Sequence, residues 1–143
     1  MQLPPELHKR LRDELRLAVT KMSEADSPHQ KLYYFSVFFG EAARVLNWHW
    51  DEELVLIWAI TQHVHGSLMR CLQASAQGER VITLTKTYFD ALTREAIALV
   101  EWIEKEGNKT ELFDIAASLT EILYATTGNG FYLLDKGFIT LEK

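Results

Sequence analysis

Ser27-Pro28-His29-Gln30-Lys31-Leu32-Tyr33-Tyr34-Phe35-Ser36-Val37-Phe38-Phe39-Gly40-Glu41-Ala42-Ala43-Arg44-Val45-Leu46 is the stretch that decides the fold class. Ser27 has the character of a helix N-cap, Pro28 suits the first helical position, and Gln30 stands where a capping box is completed. Pro28 is also the last of the three prolines, so nothing from His29 to Lys143 forbids helix. Leu32, Phe35, Phe38, Phe39, Ala42, Ala43, Val45 and Leu46 leave this helix only a narrow polar arc, as expected of an element that is central or faces a partner. At about 100° per residue, Tyr33, Tyr34, Val37, Glu41, Arg44 and Trp48 share the remaining side.

Upstream, Leu7, Leu11, Leu15, Val19 and Met22 recur at helical spacing, with Lys9, Arg10, Arg12, Asp13, Arg16 and Lys21 on other faces, which predicts an amphipathic helix over 5–23. Downstream, Asp51, Glu52 and Glu53 bring negative charge to the first turn of a long helix of roughly 24 residues. Its stripe is Leu54, Ile57, Trp58, Thr61, Val64, His65, Leu68 and Leu72, and Gly78 marks its end. A fourth helix begins at Thr83 or Thr85, buries Tyr88, Phe89, Leu92, Ala96, Leu99 and Ile103, and stops at Gly107-Asn108. A fifth, capped by Asn108 or Thr110, carries Leu112, Ile115, Ala116, Leu119, Ile122 and Leu123 and breaks at Gly128-Asn129-Gly130. Residues 131–143 read as a short helix closed by Gly137, or else as a hairpin around Asp135-Lys136-Gly137, with the helix preferred. The expectation is an all-α antiparallel bundle of five to six helices in one domain over 1–143.

Composition agrees with this and removes several classes. The chain has 143 residues, is 48% apolar and 24% charged, and contains one cysteine. Cys71 alone forms no internal disulfide and no cysteine-based zinc site, and its position at the edge of the buried stripe reads as structural. The start has no basic segment followed by an apolar one, and no apolar run approaches the roughly 20 residues that span a bilayer, so a cytoplasmic location away from membranes is expected. The net charge of −5 lies in one window. Glu95, Glu101, Glu104, Glu106, Glu111, Asp114 and Glu121 face only Lys105 and Lys109 there, and the rest of the chain is neutral. Broad capture of nucleic acid is therefore not expected, whereas a small local RNA contact remains compatible with the charge.

The candidate chemistry is sparse. His63 and His65 point about 200° apart on a helix and do not grip one ion together. No Glu-x-x-His, His-Glu-x-x-His, phosphate-binding loop or dinucleotide fingerprint occurs, so no metal site and no cofactor is expected. His65 reads as a core histidine, or, together with Glu41 and the aromatics, as part of a small-ligand pocket. Arg44-Val45-Leu46-Asn47-Trp48-His49 resembles the Arg-x(4–6)-His signature of the HEPN family of helical, commonly dimeric ribonucleases and their nucleotide-binding or antitoxin-paired relatives. That resemblance implies phosphate stabilisation by Arg44 and acid–base work by His49 without a metal. Val45 stands where that family usually carries a polar residue.

Trp48, Trp50 and Trp58 fall within eleven residues of one another, beside the Tyr33-Tyr34 and Phe38-Phe39 pairs. These aromatics serve either as core or as an association surface built from Tyr33, Tyr34, Val37, Phe38, Glu41, Trp48 and Trp50. Gly40 and Gly66 lie inside helices, where glycine costs about 1 kcal/mol relative to alanine, which suggests close approach of a second backbone. The function expected from these residues is a helical interaction or regulatory module, homodimeric or bound to another protein. A metal-independent ribonuclease using Arg44 and His49, and a ligand-binding bundle, are the alternatives.

Overall fold

The computed structural model describes residues 1–78, 82–127 and 132–141. Among them lie six helices and two short strands: α1 (Pro5–Glu24), α2 (Pro28–Leu46), α3 (Glu52–Ala76), β1 (Ile82–Leu84), α4 (Lys86–Glu104), α5 (Lys109–Ala125), α6 (Tyr132–Asp135) and β2 (Ile139–Leu141). The bundle is all-α apart from the small sheet. The expected breaks at Gly128-Asn129-Gly130 and the start at Phe131 lie outside the described residues.

The long helices begin where the local chemistry says they should. Ser27 accepts from the Gln30 amide at 3.1 Å, Asp51 from Leu54 at 3.0 Å, Thr85 from Tyr88 at 3.3 Å and Asn108 from Glu111 at 2.9 Å. Each satisfies an amide that the helix itself leaves without an acceptor. Most of each predicted stripe is buried, including Leu11, Leu15, Val19 and Met22 on α1 and Leu92, Ala96, Leu99 and Ile103 on α4, but Ala43 of α2 is exposed and Phe39 and Leu46 are half-buried.

α2 packs on α1 and on α3, α3 on α5, α5 on α4, and α4 closes the ring on α1. The turn between α1 and α2 is drawn tight by Lys31 Nζ, which donates to the Met22 carbonyl at 2.7 Å. At the α1–α4 seam, His8 Nε2 lies 3.1 Å from the Ile103 carbonyl oxygen, and the Arg16 guanidinium holds Glu104. That hydrogen bond keeps the Glu104 carboxyl below its usual range.

Two features depart from the sequence reading. In the last segment the preferred short helix closed by Gly137 is present as α6, with Gly137 at φ +76°, but the chain then forms β2. β2 runs antiparallel to β1, with Ile82 opposite Leu141 and Leu84 opposite Ile139. This long-range pairing was not expected, because each strand has three residues and its partner lies far away in the chain. The end of α4 also differs from expectation. The residue in left-handed conformation is Glu106, at φ 53°, and not Gly107. Gly107 is needed one position later: its amide donates to the Trp102 carbonyl at 2.9 Å, and a Cβ there would strike the Trp102 indole.

Gly40 and Gly66 do not mark close helix approaches within this chain. An added Cβ meets nothing within 4 Å at Gly40, and only Arg70 Nη1 at 3.5 Å at Gly66.

Candidate functional site

α2 carries its buried side chains Leu32, Phe35, Phe38, Ala42 and Val45 on one arc and leaves the opposite arc open. Tyr33 is 70% exposed at its start, and its ring meets Tyr34 edge-on at 5.4 Å between centroids. Tyr34 and Val37 are half-buried. Between α1 and α2 they border a shallow groove with Leu17, itself 56% exposed. Phe38, expected on the association surface, is instead fully buried. The reason is angular: Phe38 lies with Phe35 and Ala42 on the core arc, whereas Tyr33 and Gly40 point the other way.

At the end of α2 the chain turns through Asn47, with the amides of both Trp48 and His49 donating to the Val45 carbonyl at 2.9 Å. The link that follows is clamped by the first residues of the chain. His49 Nε2 lies 3.0 Å from the Gln2 carbonyl oxygen, the Gln2 amide donates to Asp51 Oδ2 at 3.2 Å, and the Met1 amine pairs with Glu53. So held, Trp48 is 78% exposed and Trp50 is 72% exposed. Trp50 forms one wall of an apolar groove of about 300 Å³ with Ala43, Leu46, Asn47, Val55 and Trp58. The tryptophan of the core is a different one, Trp102 on α4, 1% exposed, with its indole N–H donating to the Asn108 carbonyl at 2.8 Å.

No known protein family, curated protein or solved structure matches this chain. The residues themselves are therefore the basis for any reading of function.

Arg44 and His49 have separate partners. Arg44 Nε donates to Glu41 Oε2 at 2.8 Å, and Nη2 reaches the same oxygen at 2.6 Å as an ion pair without meeting hydrogen-bond geometry. That nitrogen is otherwise buried without a hydrogen-bond partner. His49 is held by Gln2, so the polar contacts of the two side chains lead to different partners. Glu41 and His65 are likewise apart. The His65 ring packs edge-on against Phe39 at 5.0 Å between centroids. Phe39 and Glu41, two residues apart on α2, point about 200° from each other. Burial lowers the His65 pKa from its ordinary value, as it does for an imidazole serving as packing material.

The acidic window is partly neutralised by ion pairs. Glu104 pairs with Arg16, Glu111 with Lys105 and Glu121 with Lys136. Among the described residues, no three His, Cys, Asp or Glu side chains group closely enough to hold a metal ion, and no helix is long and apolar enough to cross a membrane.

Sequence reasoning passed over Leu17 and the N-terminal clamp. Leu17 had a signal, since it is an apolar side chain about 200° from Leu15 and so out of phase with the buried stripe of α1. The clamp had none, because its hydrogen bonds join residues 47 to 52 positions apart that carry no shared pattern.

Proposed function

We propose that the chain is a helical protein-interaction module whose contact surface is the open arc of α2 together with the Trp48–His49–Trp50 link, and that self-association is its simplest form. The observation that supports this most is the exposure of Trp48 and Trp50, at 78% and 72%, at one end of α2, with Tyr33 at 70% at the other. Contiguous exposed aromatics are costly in water, and aromatics are enriched at the centres of association surfaces. On the open arc of α2 Glu41 and Arg44 neutralise each other, whereas Asp51, Glu52 and Glu53 bring negative charge beside Trp50.

Sedimentation equilibrium from micromolar to submillimolar protein tests the self-associating form. The wild type is expected to rise above its monomer mass with concentration, while a Trp48→Ser/Trp50→Ser variant stays monomeric with unchanged helicity. A wild type that remains monomeric over the whole range overturns it.

A further inference from the structure

The open face of α2 carries a projection and a recess at opposite ends. The projection is Tyr33, which stands 70% exposed. The recess is the groove of about 300 Å³ walled by Trp50 and Trp58 and floored by Ala43, Leu46, Asn47 and Val55, with room for one aromatic ring. Between them a row of small residues, Ser36, Gly40 and Ala43, runs along the outward side, flanked by Val37 and the Glu41–Arg44 pair. Gly40 is exposed, and nothing lies within 4 Å of where its Cβ would be. Nothing within the monomer calls for a glycine there, and in mid-helix it costs about 1 kcal/mol against alanine.

We infer that two copies of this chain pair face to face through α2, the helices crossing antiparallel at Gly40, so that Tyr33 of each copy enters the Trp50–Trp58 groove of the other. This rests on the self-association proposed above and adds its geometry. Any two points on one face are exchanged by a two-fold axis that lies in the interface, perpendicular to the line joining them. Tyr33 and the groove are such points, and Gly40 lies midway along α2 between them. The small side chains at the crossing let the backbones come together, which a bulky residue at position 40 would prevent.

A second copy fits better than a partner of other chemistry for two reasons. The Glu41–Arg44 pair near the crossing is balanced within one copy, so this part of the face meets its own image without repulsion. The exposed parts of Tyr33, Trp48 and Trp50 with the groove walls come to roughly 600 Å² per copy, or roughly 1,200 Å² in total, at the lower bound of a stable specific interface. A weak, reversible dimer is the expected result.

The test joins sedimentation with cross-linking. Gly40→Cys places a thiol at the crossing, where two copies present it to each other within disulfide reach. The variant is expected to form a covalent dimer under mild oxidation, whereas the wild type, whose Cys71 is buried, and Ala117→Cys, on the exposed face of α5, are not. Tyr33→Ala is expected to weaken dimerisation at least tenfold, and Tyr33→Trp to keep it. A wild type that is monomeric at every concentration overturns both this geometry and the self-association beneath it. A wild-type dimer that survives Tyr33→Ala, with no cross-link at position 40, overturns this geometry alone.

Discussion

Arg44 Nε donates to Glu41 Oε2 at 2.8 Å, one turn earlier on α2, and the pair is partly buried. This guanidinium is the group that the HEPN resemblance assigns to phosphate, and here its charge is balanced within the chain. Wild-type protein is expected to leave single-stranded RNA uncut. Arg44→Ala is expected to cost about 1–2 kcal/mol in urea unfolding, because it leaves the Glu41 carboxylate unpaired. RNA cleavage that His49→Ala abolishes without lowering Tm would restore the enzymatic alternative.

Two glycines are expected to respond in opposite directions to alanine. At Gly107 the new methyl strikes the Trp102 indole, and the displacement of the core tryptophan costs about 1–3 kcal/mol. At Gly40 the methyl meets nothing, and the loss of backbone freedom in the unfolded chain stabilises by about 0.4–1 kcal/mol. Thermal melts at low micromolar concentration, below any dimer, measure both.

The Tyr88 hydroxyl donates to the Ile122 carbonyl at 3.1 Å, tying α4 to the last turn of α5. Burial pushes this phenol well above its ordinary pKa, which favours the protonated, donating form. Tyr88→Phe keeps the edge-on ring contact with Phe138 but leaves a buried carbonyl without its donor. A loss of about 1–2 kcal/mol is expected, with helix content unchanged by circular dichroism.

His65 makes stability depend on pH with a definite sign. Its pKa is lowered by burial in the folded chain, so in the unfolded chain it takes up a proton at higher pH, near 6.5. The folded state therefore has its full stability above about pH 6.5 and loses some as the pH falls below that value, until the folded imidazole also titrates. His65→Leu is expected to flatten the decline of Tm between neutral and mildly acidic pH. An unchanged slope in that variant would show that other groups set the acid response.

The candidate surface was only half legible in the sequence. That α2 faces a partner as well as a core follows from its crowding with apolar side chains, and Tyr33, Trp48 and Trp50 are indeed outside. Phe38 was placed on the wrong arc because the aromatic run Phe35-Ser36-Val37-Phe38-Phe39 looks alike on both sides until a neighbouring helix selects one. The pairings of Arg44 with Glu41 and of His65 with Phe39 also depend on rotamers and neighbours that spacing does not specify.

Caps, helix extents and buried stripes were determined by the sequence alone, because a capping hydrogen bond spans three residues and amphipathicity repeats every turn. Ser27, Asp51, Thr85 and Asn108 each do this local work. Only the tertiary structure decided that Trp102 is the core tryptophan while Trp48 and Trp50 stay in water. It also decided that β1 pairs with β2, and that the first residues of the chain clamp the link after α2. Each of these depends on groups distant in sequence, since burial and strand pairing belong to whatever the folded chain brings alongside and are not encoded at the residue that experiences them.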